Sequence, residues 1–238
     1  MASNTLSNIL SIFLEAIAQA KRIESVSPFL SSLICIYRKI TLNEKLSPLV
    51  KDFQLDDETT GNIISNLKKT LKEQGAENMN QLNSPLSYLL DELICNIQQH
   101  AHTDKGYAYI GYSSDYVELA IADAGITIYG SYASVQKHLD LIGNSDAAAL
   151  NIAQKGYSTK NLPNAENRGY GISSNIRMIV EGLHGEISIL SGNALLGHFA
   201  EKEIILALPE EIDFKGTMVI VRFPAKIPND FNIYNYIN

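Results

Sequence analysis

The chain has 238 residues, 45% of them apolar and 19% charged, a globular composition that excludes disorder as its main state and is long enough to bury a core without staples. Nineteen Lys and Arg against 26 Asp and Glu leave a net charge of -7, the reverse of a phosphate-neutralising surface, so nucleic acid is not an expected partner. Two isolated cysteines, Cys35 and Cys95, supply neither a disulfide framework nor a CxxC metal site, which fits a reducing, cytoplasmic setting.

Residues 6 to about 71 carry a helical pattern without strand signals. Leu6, Ile9, Leu10, Phe13, Leu14 and Ile17 recur at spacings of three and four, one buried helix face. Glu15 and Gln19 interrupt the apolar stretch from Ile9 to Ala20, which falls short of the roughly 18 apolar residues a bilayer requires, so an amphipathic helix is expected and membrane association is not. Pro28 fits the first turn of a second helix through Tyr37, capped by Ser25 or Ser27. Asp56 or Asp57 suits the cap of a third through Ile63, Leu67 and Leu71. Asn78 to Asn83 reads as a loop, after which Ser84-Pro85 opens a helix running to about His100.

Alternation then replaces the helical period. Tyr107 to Tyr112 and Tyr116 to Ala122, separated by Ser113-Ser114-Asp115, predict a hairpin. Tyr129 to Tyr157 is a long connection with weak helical segments, and Lys160 to Arg168 is polar, the texture of a functional lid. A helix from Ile172 to Leu183 stops at His184-Gly185, with the glycine as left-handed stop. Strands follow at Glu186 to Ser191, Glu203 to Leu208 and Thr217 to Phe223. The expected fold is α+β, a two-layer sandwich of a mixed, mostly antiparallel sheet covered by helices. Residues 1–80 form a helical N-terminal region, 84–226 the main domain and 227–238 a short tail.

Four places carry chemistry. Glu92 and Asn96 lie four apart on one helix face, where a carboxylate can activate a nucleophile and an amide oxygen can ligate a hard cation beside phosphates. Asp123-Ala124-Gly125 ends a strand, offering an acceptor for an exocyclic amine and a glycine that lets backbone approach a flat ring. Ser158-Thr159-Lys160 lies in the lid, and Arg168-Gly169-Tyr170-Gly171-Ile172 opens a helix whose N-terminus favours phosphate, with Lys160 or Arg168 as added positive charge. Gly216-Thr217 enters the last strand. Taken singly, each pattern also fits a solvated helix face, a strand-ending turn or an ordinary loop.

In this order the motifs resemble the GHKL superfamily of ATP-binding domains, shared by DNA gyrase, sensor histidine kinases and anti-sigma serine kinases. Leu90 to Asn96 resembles its N box, Asp123-Ala124-Gly125 its adenine-binding box, and Asn167 to Ile172 its second glycine box; the likeness spans about Ser84 to Pro224. The resemblance implies Asn96 as ligand of magnesium (Mg2+), Glu92 as general base, Asp123 as acceptor for the adenine amine and Gly125 beside the base. It places Gly169, Tyr170, Gly171 and Ile172 at the triphosphate, Lys160 and Arg168 near phosphate, and Thr217 in support of Asp123 or of a bridging water beneath the adenine. The family often has Asp-x-Gly-x-Gly, and Thr127 stands at the second glycine here.

Residues 1–99 contain no histidine, so autophosphorylation in cis on a preceding helical histidine is excluded. Glu92 suits an enzyme that deprotonates water or a hydroxyl. The expected function is therefore a regulatory protein that binds ATP and ADP with magnesium and either hydrolyses ATP or phosphorylates a protein partner. The alternative is a non-catalytic, nucleotide-dependent binding module. The apolar face of the N-terminal helices suits packing onto the sheet and a homodimer.

Overall fold

In a computed structural model of the chain, the residues described are 50–55, 59–159, 170–199, 202–209 and 213–236. They build a seven-stranded sheet of β1 (Val50–Gln54), β2 (Lys105–Tyr112), β3 (Tyr116–Asp123), β4 (Glu186–Gly192), β5 (Ala194–Phe199), β6 (Lys202–Ala207) and β7 (Phe214–Pro224). The strand order is β1-β2-β3-β7-β4-β5-β6, and every neighbouring pair is antiparallel, so the α+β sandwich stands without a parallel pair. The helices are α1 (Thr59–Glu73), α2 (Met79–His100), α3 (Ile128–Ser134), α4 (Leu139–Ile142), α5 (Asp146–Gln154) and α6 (Tyr170–Arg177).

Alternation along the strands sorts the sheet's two faces. Val117, Leu119 and Ile121 of β3, with Val219, Val221 and Phe223 of β7, face one continuous core that also takes the apolar stripes of α1, α2 and α6. In α1 the stripe is Ile63, Leu67 and Leu71. Gly75, at φ +92°, ends the helix while Ala76 N–H donates to the Leu71 carbonyl at 3.1 Å. In α2 the stripe includes Leu82, Leu86, Leu89, Leu93 and Ile97, each at most 5% exposed and each worth about 1.5 to 3 kcal/mol when fully buried. A second, smaller cluster joins α3, α4 and α5 around Tyr132, Ile142 and Ala149. The opposite sheet face is apolar too: Ala120, Leu190, Leu195, Met218 and Ile220 are at most 2% exposed.

Several expectations change. The region before residue 80 contains a strand, β1, which pairs with β2 from Val50↔Tyr109 to Gln54↔Lys105 and shares the core with α1. A Cβ on Gly106 would lie 2.4 Å from the Phe53 ring, so this glycine makes room for the edge strand's one buried aromatic. Helix α2 begins at Met79, not at Ser84, and Pro85 is inside it. The missing N–H costs about 3 kcal/mol, and extending the stripe to Leu82 offsets it. Strand β5 was not expected. The left-handed residue after α6 is His184, at φ 52°, while Gly185 is needed because a Cβ there would lie 2.5 Å from the Arg222 carbonyl oxygen. Between them, Met178–Gly182 forms a wide turn closed by Leu183 N–H to the Met178 carbonyl. The residues 227–236 pack back on the fold, with Phe231 and Tyr236 stacked 5.9 Å apart against Gly182. No helix among the described residues is long and apolar enough to cross a membrane. The helices expected within residues 1–49 and the caps at Asp56 and Asp57 lie outside the described residues.

Candidate functional site

Asp123 closes β3 with its side chain 3% exposed. Gly125 N–H donates to its Oδ1 at 2.8 Å and Thr217 N–H donates to the same carboxyl group. Burial pushes the carboxyl up from 3.8 to about 7, although both N–H donors pull the other way. Thr217 thus supports Asp123 through its backbone, while its hydroxyl lies 3.0 Å from Ser191 Oγ. Ser191 in turn accepts from Ile128 N–H at 2.9 Å and lies 3.1 Å from the Gly216 carbonyl as donor, so one buried hydroxyl ties β4, β7 and the start of α3. Gly216 takes φ +111°, and a Cβ there would fall 2.2 Å from the Asp123 carbonyl oxygen. Ser191 carries no motif in the sequence; only the register of β4 against β7, Ser191↔Thr217, brings it to the site.

Gly125 is forced from the other side. A Cβ there would lie 1.9 Å from the Ala101 carbonyl oxygen, at the end of α2, and Ile126 N–H donates to that oxygen at 2.8 Å. The chain then turns at Thr127, whose Oγ1 accepts from Gly130 N–H at 3.0 Å and caps α3. A capping residue therefore occupies the position where the resemblance suggested a second glycine.

The other end of the site is the seam between α2 and α6. Glu92 and Asn96 project from one face of α2, both partly exposed. A Cβ on Gly171 would lie 3.2 Å from both amide atoms of Asn96 and 3.4 Å from Glu92 Oε2, so a glycine on α6 lets the two helices approach closely at these side chains. Along the same seam Ser174, 3% exposed, hydrogen-bonds Tyr88. Burial first, and the Glu92 charge second, push the Tyr88 phenol up to about 12. Asn175 is 1% exposed and neither of its amide atoms has a hydrogen-bond partner among the described residues. Ala101, whose carbonyl meets Gly125, is nine positions after Glu92, about 13 Å along the helix axis.

Thr159 Oγ1 is 3.1 Å from His100 Nδ1 and 3.4 Å from Ser131 Oγ, and Tyr132 Oη donates to the Tyr157 carbonyl at 2.6 Å. Ile172 packs against the core from the first turn of α6. Lys160, Arg168 and Gly169 lie outside the described residues, and of Tyr170 only its place at the start of α6 is described. Among the described residues no three His, Cys, Asp or Glu groups gather to hold a metal ion by themselves. A cation at Asn96 would therefore take its remaining ligands from a bound phosphate and water, the manner in which magnesium is commonly held. In comparisons with known proteins, no family model matches this chain and no curated protein does.

Proposed function

We propose that the chain is a GHKL-type regulatory protein that binds Mg-ATP and either hydrolyses it or passes its terminal phosphoryl group to a partner protein. The observation that carries this is the meeting of Glu92 and Asn96 with Gly171, 79 and 75 positions later in sequence, where a Cβ on the glycine would lie within 3.4 Å of both side chains. A carboxylate, an amide and bare backbone at the start of a helix form a donor set suited to a metal-bound polyanion. The buried acceptor Asp123, two residues before the Gly125 that packs on the Ala101 carbonyl at the end of α2, suits the amine of a purine at the far end of the same ligand.

In this account Asp123 accepts the adenine amine, held in place by Gly125 and Thr217. Asn96 would hold magnesium, which when bound neutralises charge on the phosphates. Glu92 takes the proton from an attacking water or hydroxyl, and Gly171 keeps α6 close without crowding the phosphates. Lys160, Arg168, Gly169 and Tyr170 are proposed at the phosphates on the resemblance alone. The test is Glu92→Ala with nucleotide binding and phosphate release measured on one sample. Unchanged affinity with turnover lost supports a group acting on the transition state. Retained turnover removes Glu92 from that role, and binding by the unaltered chain without turnover, alone or toward a partner, leaves a nucleotide-dependent binding module.

A further inference from the structure

We propose that Ser191 is a positioning residue for the choice of base: it turns the Thr217 hydroxyl so that the Asp123 end of the site presents acceptors only, admitting a 6-amino purine and rejecting a 6-oxo one. The inference rests on the reading of this end as a purine site. Alternation puts Ile121 of β3, Val219 of β7 and Ile189 of β4 on the helix-covered face of the sheet. Asp123, Thr217 and Ser191 each stand two residues from these positions, toward the same end of the sheet. Ala122↔Met218 is the last β3–β7 pair before Asp123 and Thr217, and Ser191 is registered with Thr217, so the three form a polar row across neighbouring strands. Asp123 and Ser191 are buried and Thr217 between them is only partly so, which means that Ser191 acts on a ligand through Thr217.

Counting hydrogens fixes the direction of the Thr217 hydroxyl. A hydroxyl donates once and accepts twice. Ser191 Oγ accepts from Ile128 N–H at 2.9 Å, lies 3.1 Å from the Gly216 carbonyl oxygen, which can only accept, and lies 3.0 Å from Thr217 Oγ1. All three bonds form in one assignment alone: Ser191 gives its hydrogen to the Gly216 carbonyl, and Thr217 gives its own to Ser191. The Thr217 hydrogen is thereby spent inside the sheet, and its oxygen keeps only lone pairs for a ligand. Beside it the ionised Asp123 carboxylate also only accepts, with Oδ1 already engaged by Gly125 N–H. An amine at purine position 6 brings two N–H donors to these acceptors, whereas a keto oxygen there sets acceptor against acceptor. Without Ser191 the Thr217 hydroxyl is free to turn and donate to that oxygen.

The test compares ATP with inosine triphosphate, which carries an oxygen in place of the amine at position 6. Both are titrated calorimetrically with magnesium into the full chain at pH 8, above the titration of Asp123. Each pair is read on one preparation, so a loss of folded protein cancels from the ratio of affinities. The unaltered chain should prefer ATP about a hundredfold, and Ser191→Ala should lower that preference about tenfold, chiefly through tighter binding of inosine triphosphate. In Thr217→Val, which has no hydroxyl to turn, adding Ser191→Ala leaves the preference unchanged. Equal binding of both triphosphates by the unaltered chain overturns the proposal, as does an unaltered preference in Ser191→Ala or a further change in the Thr217→Val background. Neutron diffraction from a deuterium-exchanged crystal of the unaltered chain needs neither ligand nor variant. The Thr217 deuteron lies toward Ser191 Oγ if the assignment holds, and a deuteron turned away from Ser191 removes it. If the unaltered chain binds neither triphosphate, the nucleotide reading fails, and this deuteron alone decides whether Ser191 directs Thr217.

Discussion

Asp123→Asn separates what the site costs the fold from what it does for a ligand. The carboxyl titrates at 3.8 in an unfolded chain and about 7 in the fold, because burial disfavours its charged form more than the Gly125 and Thr217 N–H groups favour it. Between these two values the native state holds a proton that the unfolded chain has released. Folding stability therefore falls as pH rises across that window and is level outside it. At about 1.4 kcal/mol per pH unit the group removes about 4 kcal/mol between pH 4 and 7, and at 3% exposure little solvent screening reduces this. Asparagine keeps the shape and an Oδ1 acceptor for the Gly125 N–H but does not titrate. Urea unfolding of both proteins from pH 4 to 8 should give curves that diverge by about 4 kcal/mol, the variant being flatter, since the other carboxylates are common to both. Parallel curves would refute the burial account of Asp123. The same substitution replaces a charged acceptor with a neutral amide, so a variant that is relatively more stable at neutral pH should also lose nucleotide binding.

Three further substitutions read other parts of the site. Gly171→Ala should change thermal stability little, because a helix-propensity gain of about 1 kcal/mol opposes the crowding of Asn96 at 3.2 Å. Mg-ATP affinity measured by calorimetry should fall about tenfold, and unchanged affinity would remove α6 from the site. Gly125→Ala sets a Cβ against the Ala101 carbonyl oxygen, backbone against backbone, and should lower stability by about 3 kcal/mol in urea unfolding. A wild-type midpoint would show that the turn after β3 relaxes freely. Ser191→Ala leaves the Ile128 N–H without its acceptor and should cost about 2 kcal/mol, together with faster amide exchange at the start of α3. Protection equal to wild type at Ile128 would contradict the tie between β4 and α3.

The parts of the fold legible in sequence are those where one periodicity serves one face. The β2–β3 hairpin alternates because its inward residues, such as Val117 and Leu119, meet the helices, and α1 shows Ile63, Leu67 and Leu71 at intervals of four. Strand β5 was hidden because Ala194, Leu195 and Leu196 are buried on both faces of the sheet, which erases the alternation and leaves a plain apolar run. Strand β1 was hidden for the opposite reason: Val50-Lys51-Asp52-Phe53-Gln54 has too few apolar residues to show a period, and pairing with β2 is what makes it a strand. Proline at position 85 marked a helix start by local preference, and the burial of Leu82 overrode it. In the site, Glu92, Asn96, Asp123 and Thr217 were visible because each sits in a short motif on one element. Tyr88, Ser174 and Ser191 entered through contacts between elements, which spacing along the chain does not encode.

The central claim is that Asp123 and the Glu92–Asn96–Gly171 cradle bind one nucleotide between them. Calorimetric titration of the full chain with ATP and with ADP, with and without magnesium, tests it when repeated on Asp123→Asn. The account predicts saturable one-to-one binding that magnesium strengthens and the substitution abolishes. Absence of binding by the unaltered chain, or equal binding by the Asp123→Asn variant, would contradict it.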